Sequence, residues 1–232
     1  MITSAIILAG GLGTRLRAAL ADLPKCMAPV AGKPFIAHVI DHLQQQGIQQ
    51  FIFALGYKSE AFTDFLSQTL PPGSYKLSIE PEPLGTGGAI KLACTQLTEK
   101  TTLIANGDTL FKVQLDKMAG FHHMCAAHCT LALKPMQNFD RYGVVEINKD
   151  YSIRSFKEKQ FYESGYINGG IYLLHAEKFL QEDLPEKFSF EKDYLEKFYS
   201  NRRMYGVVQD EYFIDIGIPE DYERAQKELV NA

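Results

Sequence analysis

The sequence predicts an α/β fold: a doubly wound, Rossmann-like, mostly parallel sheet with a smaller mixed-sheet region appended. Three observations carry that prediction. The first is an almost wholly apolar run, Ser4-Ala5-Ile6-Ile7-Leu8-Ala9, closed by Gly10-Gly11, as expected of a central parallel strand covered on both faces. The second is the alternation of strand-like and helix-spaced segments up to about residue 105, the pattern of right-handed βαβ crossovers. The third is that Gly10-Gly11-Leu12-Gly13 and Asn106-Gly107-Asp108 follow strands directly. Turns in that position lie on the carboxyl rim of the sheet, where ligands of such folds sit.

The elements follow in order. Phe35, Ile36, Val39, Ile40 and Leu43 have helical spacing, and Gly47 closes a helix over residues 35–46. A second buried strand is expected over 51–55, a helix over about 60–70, a strand near 77–79, a helix over about 88–97 and a strand over 102–105. Residues 142–147, 152–157 and 166–174 then read as strands, the first two joined by the turn Asn148-Lys149-Asp150. This mixed region is expected to cover the rim. Helices over about 190–199 and 219–229 complete the chain, with no repeat or linker-like stretch.

A chain of 232 residues with 46% hydrophobic content can bury one large core, so residues 1–232 are read as a single domain. Its 24 basic and 28 acidic residues leave a formal charge of -4. No global cationic field exists to hold nucleic acid or an anionic membrane, and any phosphate site must be local. Cys125 and Cys129 are expected to share a buried helix face, with no second Cys/His pair at zinc spacing. No charged-then-apolar leader and no apolar run near ~18 residues is present. Together these features predict a cytoplasmic protein.

The turn after the first strand, Gly10-Gly11-Leu12-Gly13-Thr14-Arg15-Leu16-Arg17, lets backbone N–H groups approach phosphate oxygens that a Cβ would fend off. It lacks the Gly-Lys-Ser/Thr ending of a P-loop, and Leu16 replaces the third glycine of a dinucleotide fingerprint. Arg15 suits a bidentate clamp on a polyphosphate, and Lys25, presented between Pro24 and Pro29, suits a point charge.

These residues resemble the nucleoside-diphosphate-sugar pyrophosphorylases, a sugar nucleotidyltransferase family whose signature is a strand, G-x-G-T-R-[LM] and then a lysine. Here Cys26 follows that lysine where proline is usual. Asp108 in Asn106-Gly107-Asp108 and Asp215 in Phe213-Ile214-Asp215-Ile216-Gly217 are similar to the family's N-G-D and F-x-D-x-G-x-P motifs. The resemblance implies a GT-A-like nucleotide-diphospho-sugar transferase fold, with about residues 1–135 binding nucleotide and about 136–232 binding sugar. It also implies Mg²⁺ held by Asp108 and Asp215, since Mg²⁺ takes one or two protein carboxylates plus waters and substrate phosphates. Arg15, Lys25 and Asp108 become the catalytic candidates. A sugar phosphate oxygen is already anionic, so no general base is needed, and positioning with charge neutralisation suffices. His122, His123 and His128 are accordingly read as structural.

By the same resemblance Leu8, Ala9, Gly10, Gly11, Gly13, Thr14, Arg15, Lys25, Asn106 and Gly107 meet the nucleotide. Glu80, Gly85, Thr86 and Gly87 form its base loop, where a glutamine is common near the position of Glu80. A carboxylate accepts the paired N–H donors of guanine and repels the carbonyls of uracil or thymine, which favours GTP. A solvated glutamate at a strand end explains Glu80 equally well. Lys159 is implied for the sugar phosphate, and Glu158, Asn168 and the Gly143 and Gly169 backbones, beside Tyr142, for sugar hydroxyls. The wording of several segments, such as Lys187-Phe188-Ser189-Phe190-Glu191, is most similar to the guanylyltransferases of a heptose 1-phosphate that serve bacterial surface glycans. Alternatives are a hexose or N-acetylmuramate 1-phosphate uridylyl- or thymidylyltransferase, and a non-catalytic nucleotide-binding subunit. A homodimer is compatible with any of them.

Overall fold

The computed structural model describes residues 2–11, 23–56 and 59–230. β1 (Ser4–Leu8) opens the fold; a 3₁₀ turn (Lys25–Met27) and the ribbon of β2 (Pro29–Val30) and β3 (Lys33–Pro34) lead into α1 (Phe35–Gln45). β4 (Gln50–Leu55), α2 (Glu60–Thr69), β5 (Tyr75–Ile79), α3 (Gly85–Cys94) and β6 (Thr101–Asn106) continue the alternation. β7 (Thr109–Phe111), α4 (Leu115–Met124), β8 (Cys129–Phe139), β9 (Val145–Ile147), β10 (Ile153–Phe156) and β11 (Tyr162–His175) follow. The chain ends through α5 (Ala176–Leu180), a π-helix (Phe190–Leu195), α6 (Glu196–Phe198), β12 (Met204–Val208), β13 (Phe213–Asp215) and α7 (Pro219–Glu228).

Seven strands form one sheet in the order β12-β8-β11-β6-β1-β4-β5, and β11 alone runs antiparallel to its neighbours. Side chains alternate between its two faces as a strand period of two requires. Ile7, Phe53, Leu103 and Leu173 join one core cluster with α1, and Ile6, Ile52, Ile104 and Tyr172 join a second with α3. Each fully buried Phe or Ile contributes roughly 1.5–3 kcal/mol, so the sheet is anchored on both faces.

Several expectations are corrected. The mixed region is present, with β8 and β11 continuing the main sheet and the β9–β10 hairpin and the β7–β13 ribbon lying outside it; what the local pattern did not give is that continuity. β8 runs through Pro135, which β12 does not reach because it pairs only with Cys129 to Leu133, so the missing N–H costs no bond on that side. Cys125 and Cys129 do not share a helix face. α4 ends at Met124, Cys125 caps it partly exposed, Ala126 takes a left-handed φ of 46°, and buried Cys129 opens β8. The helix expected over 190–199 begins as a wider π-turn. His122 is buried in α4 with Nδ1 2.9 Å from Thr130 Oγ1, and burial pushes its pKa down to about 4. It sits in the core between α4 and β8. Among the described residues no helix is long and apolar enough to cross a membrane.

Candidate active site

β1 lies between β4 and β6, and the chain visits β4 and β5 before returning to β6. The winding direction therefore reverses across β1, and a crevice opens at the carboxyl ends of these strands. A cavity of about 390 Å³ occupies it. Leu8, Ala9, Gly10 and Gly11 line it from the end of β1, Ala54 from β4, Glu80 after β5, and Asn106 and Asp108 at the end of β6.

Two local devices bring the charged groups together. Gly107 donates its N–H to the Leu8 carbonyl at 2.8 Å, and a Cβ there would stand 2.9 Å from that oxygen. Only glycine lets the end of β6 pass so close to β1, and Asp108 is thereby turned into the cavity. The β7–β13 ribbon then pairs Asp215 with Thr109, and the Ile216 N–H donates to the Asp108 carbonyl at 3.1 Å. Two aspartates far apart in sequence become neighbours.

Lys25 Nζ lies 2.6 Å from Asp108 Oδ2 and 3.2 Å from Asp215 Oδ1. Burial alone would lower the Lys25 pKa, but the two carboxylates outweigh it and hold it raised, so the ammonium stays charged. Asp215 Oδ1 also accepts the Gly217 N–H at 2.8 Å, and the Tyr142 hydroxyl lies 3.4 Å from Asp215 Oδ2. Burial, then the Asp215 charge, pushes that phenol well above its usual pKa. Arg141, paired with Asp221, stands 5.3 Å over the Tyr142 ring. Among the described residues no group of three or more His, Cys, Asp or Glu side chains converges. Two carboxylates already gathered on a cation nonetheless suit a hard ion that completes its shell with water and phosphate oxygens.

Glu80 Oε2 accepts the Leu84 N–H at 2.8 Å, while a Cβ on Gly10 would come within 3.1 Å of Glu80 Oε1. Burial raises its pKa and the Leu84 N–H partly offsets this, so it is no freely solvated strand-end carboxylate. Gly85 and Thr86 line the cavity, but the Gly87 N–H is spent on the Phe188 carbonyl at 2.9 Å. Asn106 packs on Gly170, whose φ is 72°.

The residues singled out for the sugar do not line this cavity. Asn168 donates from Nδ2 to the Tyr172 hydroxyl at 2.8 Å, and a Cβ on Gly169 would strike the Phe111 ring at 2.4 Å. Gly143 passes within 2.4 Å (as a Cβ) of the Lys157 carbonyl, and Glu158 and Lys159 are exposed between β10 and β11. Gly13, Thr14 and Arg15 lie outside the described residues. Of the wall residues with a thiol or a charged side chain, sequence reasoning assigned no role to Cys26 and Glu191. Cys26 is buried, its thiol pushed up by burial and directed at the Ala9 carbonyl at 3.7 Å. Glu191 comes from the π-helix, and the wording of residues 187–191 was its only signal.

Residues 4–232 match the nucleotidyl transferase family model. The chain belongs to that family. This nucleotidyl transferase is 51% identical over 225 residues to the D-glycero-α-D-manno-heptose 1-phosphate guanylyltransferase of Aneurinibacillus thermoaerophilus, covering 97% of each chain. It is 44% identical over 218 residues to the enzyme of that name from Campylobacter jejuni, covering 94% of this chain and 96% of the other. Among solved structures, HddC from Yersinia pseudotuberculosis complexed with GMP-PN superposes on it with a TM-score of 0.88 at 37% identity, over 98% of this chain and 100% of that one. Neighbours of this kind share its fold, built on a mostly parallel sheet.

Proposed function

We propose that this nucleotidyl transferase joins GTP to D-glycero-α-D-manno-heptose 1-phosphate, releasing pyrophosphate and GDP-heptose for glycan synthesis. The observation that carries the reaction class is the meeting of Lys25, Asp108 and Asp215 in the cavity that also holds Glu80. The choice of sugar rests on the relatives above 40% identity. Part of the same proposal is the division into a nucleotide-binding part to about residue 135 and a sugar-binding part beyond it, as is a cytoplasmic setting, where its four free cysteines stay reduced.

In this reading the sugar phosphate oxygen forms a bond to the α-phosphorus of GTP as the bond from that phosphorus to the bridging oxygen breaks. Pyrophosphate leaves with the electron pair. Asp108 and Asp215 would hold Mg²⁺, which supplies neutralisation of the triphosphate charge. Lys25 gives its donors to phosphate oxygens, and Arg15 clamps them in bidentate fashion. Glu80 accepts the N1–H and N2–H donors of guanine, and its desolvation raises the cost of facing a carbonyl instead. Lys159 is assigned to the phosphate of the sugar substrate, whose negative charge it meets, and Glu158 and Asn168 to the sugar hydroxyls.

Pyrophosphate release tests this directly when GTP, UTP, dTTP, CTP and ATP are each crossed with heptose, mannose and glucose 1-phosphates in the presence of Mg²⁺. GTP with the heptose should dominate. Asp108→Asn and Asp215→Asn should each lower kcat by roughly 10²–10³ with the fold intact, and Glu80→Gln should cut the preference for GTP over UTP about tenfold. Release from another pair would refute the substrates proposed, and unchanged rates in an Asp variant would remove that residue from the metal site.

A further inference from the structure

Among the described residues that line the cavity, Glu191 alone comes from the chain beyond Asp108. It is the second residue of the π-helix, a wide turn that recurs at functional sites. Two hydroxyls fix its carboxylate. Thr86 Oγ1 accepts the Phe190 N–H at 2.9 Å and gives its proton to Glu191 Oε2 at 2.8 Å. Ser189 Oγ accepts the Lys192 N–H at 3.2 Å and donates to the same oxygen at 3.1 Å. Each hydroxyl carries one proton, and both protons are spent on Oε2. Among the described residues no hydrogen bond reaches Oε1, and no cation pairs with the carboxylate.

The other charged groups of the cavity wall are Lys25, Glu80 and Asp108. Lys25 and Asp108 are paired, and Glu80 is anchored by the Leu84 N–H. Glu191 is therefore a carboxylate held in place by one oxygen with the other left for a ligand. Phosphate oxygens and base carbonyls are repelled by it, whereas an O–H donor forms a charge-assisted hydrogen bond. Both substrates of the proposed reaction carry hydroxyls, one set on the ribose and one on the sugar ring. The lining of the cavity separates them. A nucleoside triphosphate with its base on Glu80 and its phosphates on Lys25 and Asp108 lays its ribose in the cavity these groups share. Glu191 stands in that cavity on Thr86, next to Gly85 in the base-side turn, and none of Glu158, Lys159 and Asn168 lines it.

We propose that Glu191 is a substrate-binding residue that accepts a hydroxyl through Oε1, and that this hydroxyl is the 2′- or 3′-hydroxyl of the nucleotide's ribose. The assignment rests on the nucleotidyl transfer reading above. Thr86 and Ser189 hold Oε2 and so set the plane of the carboxylate, which leaves Oε1 aimed without further ordering when the nucleotide enters. A brace with no substrate contact would lower the melting temperature on mutation and leave the choice between ribose and its deoxy analogues as it is in wild type.

The experiment compares GTP with 2′,3′-dideoxyGTP in wild type, Glu191→Ala and Glu191→Gln, by kcat/KM for pyrophosphate release and by calorimetric Kd, with KM for the sugar phosphate measured at saturating GTP. Wild type should prefer GTP about tenfold. Glu191→Ala should weaken GTP by that factor, leave the dideoxy analogue within twofold of wild type and so erase the preference. Glu191→Gln, which keeps an acceptor oxygen without the charge, should retain part of it. Should Glu191→Ala fail to fold, Glu191→Gln carries the comparison. A wild-type preference under twofold, or one that survives undiminished in the variants, overturns the inference. A raised KM for the sugar phosphate with an unchanged ratio of GTP to its analogue would move the hydroxyl to the other substrate and overturn the ribose assignment. The calorimetric ratio needs no turnover, so a wild type inactive on every substrate pair overturns the nucleotidyl transfer reading and leaves this test standing.

Discussion

Lys25 holds Asp108 and Asp215 together, its side chain 15% exposed against 36% and 23% for the two carboxylates. Without the ammonium, two negative charges face each other across a partly desolvated gap. We expect Lys25→Met to lose about 1–2 kcal/mol once the exposure of Asp108 is allowed for, a fall of roughly 2–8 °C in melting temperature. Added Mg²⁺ without nucleotide should then raise the melting temperature more in Lys25→Met than in wild type. The reason is that ammonium and metal compete for the same oxygens. Equal shifts in the two proteins would mean that the aspartates do not form a cation site. Glu80 shows a related effect of context: one oxygen is anchored by Leu84 while burial raises its pKa, so its chemistry follows from its neighbours.

The start of α3 looks like a phosphate turn in sequence, yet its glycines also answer to packing. A Cβ on Gly87 would stand 2.1 Å from the Phe188 ring, and one on Gly88 would stand 2.4 Å from the Glu186 carbonyl. Phe188 is 4% exposed and has no room to swing away. Gly87→Ala should therefore cost about 1–3 kcal/mol, with part of it recovered by Phe188→Leu; urea midpoints of the single and double variants measure both effects. A Gly87→Ala protein as stable as wild type would show that the α3 start moves freely against residues 186–188. The β7–β13 ribbon is the other element on which the site depends, because three residue pairs, Phe213 with Phe111, Ile214 with Leu110 and Asp215 with Thr109, set the register of Asp215. A slip of one residue would turn Asp215 to the opposite face.

One sheet spans the two halves of the chain. β6 pairs with β1 on one edge and β11 on the other, and Ile214, Ile216, Ala225 and Leu229 enter the same core cluster as Ile7 and Phe53. Neither half can expose its share of that core without disrupting the other. Urea unfolding should be a single cooperative transition, with far-UV circular dichroism and tyrosine fluorescence coincident; the chain has 12 Tyr and no Trp. Two separated transitions would show that the halves are independent domains.

The first half of the fold is legible in residues 4–106 because buried parallel strands and amphipathic helices carry local periods that need no distant partner. Lys25, Asp108 and Asp215 were legible as motifs for the same reason: each sits in a short run of distinctive residues. The second half was read less well. β8, β12 and β13 were not resolved as strands of defined pairing, since their register depends on contacts between residues tens of positions apart. The joining of β11 to β6, the convergence of Asp215 on Asp108 and the reach of Glu191 to Thr86 arise only when the chain is folded. Local sequence sets which backbone conformations and side-chain chemistries are available, and long-range packing selects which of those chemistries meet.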